Sequence, residues 1–396
     1  MDEIRIADHS GLEITTRQYF HPNNLSELID FINKNTSRKF RVGGGLTGVS
    51  GAAIPLIDEW FIDMNGLNRL SWIDERAGIL EADSGVTMGM INDFLKSSGW
   101  FFPSMPGMLK ATVGGMIANN GGGPFSLKYG KIDKSVMSIH ALFANGEICE
   151  LGGLATKISQ GINLRSLFIG TEGTLGIITK AVFRCQPKLK KTHYYRFSFK
   201  DFFKLLEAVP EFLKYDPFLL EAAEKDALKF SSLKDEHVIW VCTQVELPEE
   251  FLKRYNFSKE NESIMDERFQ IGHNLQTYKP FIDLDVSFGV PLASKALLEL
   301  KKLLNDYAFE NVFFGHAGDA NWHIHVFFNE DQQKWRKCES EFDAVVKKYG
   351  GFISGEHGIG RLHKHRLLKN HSKINGQVYK AVKEVFDPKG QFPYLY

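Results

Sequence analysis

Glycine is spent unevenly along this chain, and the densest block, PSMPGMLKATVGGMIANNGGGPFSLKYG from Pro103 to Gly130, constrains the fold most. A segment with so few side chains brings backbone close to something large and flat. A mobile solvent loop is the plainer reading, but such a loop has no use for the apolar anchors Val113, Met116 and Ile117. Within the block, Ala111, Thr112, Val113, Gly114 and Gly115 are predicted to open a helix whose N–H groups face a phosphate. A second glycine segment, GGGLTGVSG (Gly43 to Gly51), follows a strand predicted over Lys39 to Val42. Gly43, Gly45 and Gly48 match GxGxxG, the dinucleotide fingerprint, which needs a helix directly after the loop. Gly51 and Pro55 bracket too short a span for one, so the Rossmann reading is rejected. The loop's glycines and the hydroxyls of Thr47 and Ser50 can still cradle a phosphate through bare backbone N–H groups. A third segment, LFIGTEGTLGIIT (Leu167 to Thr179), repeats the pattern with Gly170, Gly173 and Gly176.

A different chemistry sits near the other end, in GHAGDANWHIH, Gly315 to His325. Apolar runs flank a Gly318-Asp319 turn signal, so the segment reads as a β-hairpin. Alternation sends Trp322, Ile324, Val326 and Phe328 to one face, and His323 and His325 to the other. His316 is expected to meet His323 across the hairpin. Imidazoles so grouped suit a divalent first-row metal, and the missing carboxylate is sought in GGFISGEHGIG, where Glu356 and His357 stand among glycines. Two imidazoles and one carboxylate leave open positions for a substrate, a catalytic pattern rather than a structural one. A single strand histidine is more often a hydrogen-bonded core residue; four of them with one Glu in two glycine-bracketed segments reverse that preference.

The chain has 396 residues, room for two or three domains. Its 48 basic and 48 acidic residues cancel, giving no electrostatic reason to expect nucleic acid. Cys149, Cys185, Cys242 and Cys338 are too scattered for a CxxC motif, so free thiols and no iron–sulfur centre are expected. The N-terminus lacks a signal-peptide pattern, and no apolar run reaches bilayer-spanning length. Helices are predicted over Asn24 to Asn33, Thr87 to Lys96, Asp201 to Phe212, Lys295 to Tyr307 and Ile374 to Phe386. The clearest hairpin joins Val136 to Leu142 with Ile148 to Leu151 through Asn145-Gly146. Pro187 and the lysines after it mark a boundary, beyond which an α+β layer domain is expected.

Together these motifs resemble the FAD-linked oxidases of the vanillyl-alcohol-oxidase type, and within them the D-2-hydroxyacid dehydrogenases. GGLTGVSGA, PSMPG, ATVGG, NNGGG, GTEGTLGIIT, GHAGDANWH and SGEHGIG recur in the family's order over nearly the whole chain. The resemblance implies an α+β fold with an FAD-binding domain of two subdomains over 1–187, a substrate domain over 188–345, and a C-terminal segment over 346–396 that packs on the FAD domain. It implies that Gly44, Gly45, Leu46, Thr47, Gly48, Ser50 and Gly51 hold the FAD pyrophosphate. Pro103, Gly107, Ala111, Thr112, Gly114, Gly115 and Asn119 would line the flavin, and Gly170, Glu172, Gly173 and Ile177 would complete the cradle. The loop has no His or Cys to tether flavin, so non-covalent FAD is expected. His316, His323 and Glu356 match the family's ligands for a divalent metal, Zn²⁺ or Mn²⁺, His357 its catalytic base, and Arg268 its carboxylate-binding arginine. Asp283 stands where the 2-hydroxyglutarate enzymes carry a lysine, and His325 where they carry an asparagine. With both at the substrate, a monocarboxylate such as D-lactate or glycolate is favoured over a dicarboxylate.

The expected reaction is oxidation of the 2-hydroxyacid to the 2-oxoacid, with electrons passing to a quinone or an iron–sulfur partner protein. A cytoplasmic protein, peripheral to the inner membrane through such a partner, and a homodimer fit the same reading. Two competitors are weighed: a metal hydrolase with merely structural glycine loops, and a non-catalytic FAD subunit of a larger complex. The first leaves the glycine segments without a task, and the second leaves the histidines without one.

Overall fold

Two large antiparallel sheets form, each in its own unit of the chain. The computed structural model describes residues 3–233, 236–327, 331–370 and 372–394, so Phe328, assigned above to the apolar face of the hairpin, lies outside the described residues. One unit comprises residues 1–123, 130–188 and 357–396; the other comprises residues 124–129 and 189–356. The stretch 346–356 thus belongs to the second unit, and the division from the C-terminal segment falls between Glu356 and His357.

In the first unit, strands β1 (Leu70–Asp74), β2 (Ile79–Asp83), β3 (Val136–Leu142), β4 (Ile148–Gly152) and β5 (Ile177–Arg184) form a sheet in the order β4-β3-β5-β2-β1. The β3–β4 pair is the predicted Asn-Gly hairpin, with Ile148 opposite Leu142 and Gly146 at φ +83°. Helix Val113–Asn119 packs Val113, Met116 and Ile117 into the same core as Leu80, Ile139 and Phe183. The anchors of the glycine block are therefore core residues, which excludes the solvent-loop reading.

A smaller parallel sheet places Glu59–Asp63 between Tyr19–Phe20 and Lys39–Gly43. Helix Leu25–Lys34 covers it, with the Asn24 side chain accepting the Glu27 N–H and with Leu28 and Ile32 buried. Burial of two such side chains contributes roughly 3–6 kcal/mol. Parallel neighbours need a crossover, and residues 44–58, which supply it, contain no helix. That is the structural reason the GxGxxG match is not a Rossmann turn. Arg41 pins the crossover from below: its Nε and Nη2 donate to Glu59 at 2.9 and 3.0 Å, and its Nη1 donates to the Ala52 carbonyl at 3.0 Å. The C-terminal residues are tied into this unit by buried Lys383, whose Nζ donates to Thr174 O at 2.6 Å and Phe392 O at 3.1 Å and pairs with Asp387.

The second unit holds β6 (His193–Phe199), β7 (Leu219–Ala223), β8 (His237–Thr243), β9 (Asn256–Glu260), β10 (Phe281–Ser287), β11 (Glu310–His316) and β12 (Asn321–Phe327), in the order β9-β6-β8-β7-β11-β12-β10. Every residue of β7, β8 and β12 is buried, so these strands are covered on both faces. Helix Ile264–Tyr278 packs Ile264, Ile271 and Leu275 with Trp240, Phe314 and Phe327. Helix Val290–Asp306 starts five residues before the predicted Lys295, because Pro291 in its first turn pre-sets the helical φ without costing a needed N–H. All four cysteines are free thiols.

Candidate functional site

The glycine segments of the first unit meet one another. A Cβ on Gly45 would stand 2.0 Å from the Lys110 carbonyl oxygen, and one on Gly44 would stand 2.2 Å from Thr112 Oγ1. These two positions are glycine because the loop lies against residues 110–112. The expectation of a helix N-terminus open to phosphate is corrected here. The Val113 and Gly114 N–H groups donate to Val86 O at 2.9 Å and Ser84 O at 2.8 Å, and Gly115 N–H donates to Thr112 Oγ1 at 3.4 Å. The unspent donors are in the loop instead: among the described residues, none of the N–H groups of residues 45–50 donates to a protein acceptor. Leu46 sits at φ +50°, so successive N–H groups can converge on an anion as in a nest. Against the other glycine segments, Ser84 Oγ, next to Gly114, and Asn120 Oδ1, next to Gly170, are buried side-chain oxygens with no protein partner among the described residues. Bare N–H groups and orphaned buried acceptors fit a large phosphate-bearing cofactor.

The remaining residues of that set take several positions. Pro103 is buried and Gly107 exposed. Ala111 and Thr112 are buried, and the Ile177 side chain lies in the core, leaving only its backbone to meet a ligand. Gly170 N–H and Glu172 N–H dock on Ile117 O and Ala118 O at 3.0 and 2.7 Å. The Glu172 carboxylate accepts the N–H groups of Ile359 and Gly360 at 2.8 and 2.7 Å, and burial raises its pKa despite them. Asn119 and Glu172 both crowd Gly358, where a Cβ would lie 2.3 and 3.1 Å from their oxygens.

The second unit contains a candidate ion centre. The register of β11 and β12 pairs Phe314 with His323 and His316 with Asn321. His316 and His323 are thus diagonal neighbours on one face rather than direct partners, with ring centroids 5.3 Å apart. Glu356 joins them, its Oε1 3.5 Å from His316 Nε2 and 3.4 Å from His323 Nε2. These three ligand atoms all lie within 4.8 Å of one another. The Glu356 segment is held by β10: Ser287 and Phe352 exchange backbone hydrogen bonds, and buried Asp285 accepts from Glu356 N–H at 2.7 Å, Ser354 Oγ at 3.0 Å and Asn321 Nδ2 at 2.6 Å. Gly355 must lack a Cβ because the Asn321 amide lies 2.2 Å from where it would stand.

Behind His316 stands a carboxylate that sequence reasoning missed. His316 Nδ1–H donates to Glu221 Oε1 at 2.5 Å, which fixes the tautomer and aims the Nε2 lone pair into the trio. Burial alone would lower the His316 pKa, but Glu221 and Glu356 on its two sides hold it well above the ordinary imidazole value. That charge is what a divalent cation would replace. Burial likewise opposes ionisation of Glu221, yet His316 and Arg268 hold its pKa below the usual carboxylate value. Burial pushes nearby Asp319 up to about 6. The signal for Glu221 was available, since one acid interrupts the apolar run Leu219 to Ala223.

Arg268 is neither a surface ion pair nor wholly available to substrate. It is buried, its Nε donates to Glu221 Oε2 at 2.9 Å, and its guanidinium lies 4.7 Å from the Phe314 ring centre. Its terminal nitrogens donate to no protein acceptor among the described residues. His325 stands one strand position pair from the trio, stacked on Phe281 at 4.2 Å, with Nε2 3.3 Å from Asp283 Oδ1. His357, half-buried, is the residue after Glu356 and begins the C-terminal part of the first unit.

Comparison with known proteins gives two family matches, the FAD binding domain over residues 16–152 and the FAD linked oxidases, C-terminal domain, over residues 255–393. The D-lactate dehydrogenase of Archaeoglobus fulgidus is 31% identical over 392 residues, spanning 92% of this chain and 87% of that protein. The putative mitochondrial D-lactate dehydrogenase of Schizosaccharomyces pombe is 28% identical over 94% of this chain and 79% of its own length. The mitochondrial D-2-hydroxyglutarate dehydrogenase of Arabidopsis thaliana is 26% identical over 97% and 77%. Among solved structures, an alkyldihydroxyacetonephosphate synthase matches with a TM-score of 0.71 at 19% identity over 94% of this chain and 76% of its own, a likeness of fold.

Proposed function

Since the chain belongs to the FAD-linked oxidases, we propose that it oxidises a D-2-hydroxyacid to the 2-oxoacid with FAD as electron acceptor, D-lactate or glycolate being the favoured substrates. The loop of residues 45–50 would hold the FAD phosphates through its unspent N–H groups. Bound FAD supplies a two-electron acceptor for the hydrogen on the substrate's α-carbon. The observation that carries the reading is the trio His316, His323 and Glu356, which fits a divalent ion, Zn²⁺ or Mn²⁺, with positions left for substrate oxygens. Such an ion supplies Lewis acidity toward the hydroxyl.

The chain's own groups do the remainder. Glu221 keeps the His316 ring oriented, and Arg268 holds Glu221 while offering its terminal nitrogens to a substrate carboxylate. His357 is assigned the hydroxyl proton as general base. Asp283, paired with His325, puts negative charge where a second substrate carboxylate would be repelled, which supports a monocarboxylate. With no cluster motif in the chain, a quinone or an iron–sulfur partner protein would take the electrons.

The test is anaerobic. The yellow flavin should bleach on addition of D-lactate or glycolate and respond far less to D-2-hydroxyglutarate. Glu356→Gln should slow bleaching by three orders of magnitude or so, several kcal/mol of lost ion catalysis, while FAD stays bound. A preparation without flavin, or bleaching indifferent to both chelator and Glu356→Gln, would sink the reading. A non-catalytic FAD subunit would bind flavin and never bleach.

A further inference from the structure

The neutral charge balance of the chain conceals a local excess. Residues 361–394 contain eight Lys and Arg against two Asp and Glu. Asp387 is buried against Lys383, which leaves Glu384 as the exposed acid of this stretch, salt-bridged at 3.8 Å to Lys380. Lys369, Lys373, Lys380 and Lys389 are exposed.

The same stretch exposes apolar side chains in an ordered way. In helix Lys373–Phe386, Val382 and Phe386 pack into the core of the first unit, so the inward face is satisfied. Ile374, Val378 and Val385 nevertheless stand 62%, 56% and 75% exposed. At 100° per residue these three fall within about 40° of one another, a single stripe on the flank of the helix. Leu368 in the preceding helix, 51% exposed, adds to the apolar surface. A helix with its core face already filled, a second apolar stripe on one flank and Lys373 and Lys380 on the opposite flank of its outward face has the composition of an interfacial helix.

We propose that helix Lys373–Phe386 docks the protein on an anionic lipid surface, the stripe Ile374-Val378-Val385 entering the headgroup boundary and Lys373 and Lys380, across its outward face, reaching lipid phosphates. Charge complementarity selects this occupant. A nucleic acid would use the lysines and leave the valines in water, whereas a second copy of the chain would bring the same cations against themselves. The docking does not depend on which hydroxyacid is oxidised. It gives the enzyme direct access to an electron acceptor dissolved in the bilayer.

Holoprotein is floated with vesicles of phosphatidylcholine alone or enriched in phosphatidylglycerol. It should bind the second and not the first, and added salt should release it. Lys373→Gln with Lys380→Gln should weaken binding about 30-fold, near fivefold for each cation. The triple change Ile374→Ser, Val378→Ser, Val385→Ser should weaken it about 100-fold or more. Flavin content, melting temperature and turnover with a soluble dye should stay at wild-type values in both. Failure to float with anionic vesicles, or flotation unchanged by the triple variant, overturns the proposal. So does light scattering that shows a dimer which the triple variant dissociates, since the stripe would then belong to a second copy.

Discussion

In the first unit the proposed cofactor segment would bind with what it lacks: residues 45–50 offer N–H groups, and Gly44 and Gly45 are held by their missing side chains against residues 110–112. In the second unit the candidate ion centre is made wholly of side chains, with His316, His323 and Glu356 backed by Glu221, Arg268 and Asp285. The difference fixes how each breaks. Adding a methyl group damages the first, and removing a charge damages the second.

The largest effect separates two glycines of one loop. Gly45→Ala drives a Cβ into backbone at 2.0 Å, and backbone cannot rotate away as a flexible side chain can. Overpacking of that kind costs about 1–3 kcal/mol, so the variant should melt several degrees lower and lose most of its flavin. Gly48→Ala meets nothing closer than Asp8 Oδ2 at 3.7 Å. It should fold with an unchanged melting temperature and still bind FAD more weakly, if the N–H groups around it face the cofactor. Equal flavin retention in Gly48→Ala and wild type would remove the loop from the cofactor site. In both variants the metal content should match wild type.

The contrast also explains what the sequence disclosed. The glycine segments and the hairpin were legible because missing side chains and repeated histidines are compositional signals. Helix Leu25–Lys34 was legible because it has one polar face and an N-cap, and the β3–β4 hairpin because Asn145-Gly146 marks its turn. Strand β7, with all five residues buried, has no alternation to read, and Glu221 was missed with it. The spent N–H groups of Val113 and Gly114 were hidden for another reason. Their acceptors in Ser84 and Val86 lie almost thirty residues away in sequence, and only the packed sheet brings them close.

A smaller effect tests the supporting carboxylate. Glu221→Gln keeps a hydrogen-bond acceptor for His316 but removes the charge shared by His316 and Arg268. Loss of such a partner typically weakens metal affinity about 10–100-fold. Titration of the apoprotein with Zn²⁺ or Mn²⁺ should show that drop, with FAD affinity unaltered. Affinity equal to wild type would mean that the tautomer, and not the charge, is what Glu221 supplies.

The smallest effect leaves activity alone and asks whether the two units are energetically separate. Burial pushes the thiols of Cys185, Cys242 and Cys338 up to about 12, so they are both shielded and protonated, while Cys149 is half-buried. A thiol reagent at neutral pH should label Cys149 promptly and the others only through opening of the fold. Cys242 lies in β8, whose Trp240 pairs with Glu221 in β7; Cys185 lies in the first unit next to the end of β5. Chelation would leave His316, His323 and Glu356 without the cation they are proposed to share, and β7 carries the charge behind them. Labelling of Cys242 should therefore quicken on adding chelator, while that of Cys185 stays constant, as read by peptide mass. Equal acceleration at both cysteines would show that the side-chain centre stabilises the backbone-built unit as well, and the separation drawn here would fail.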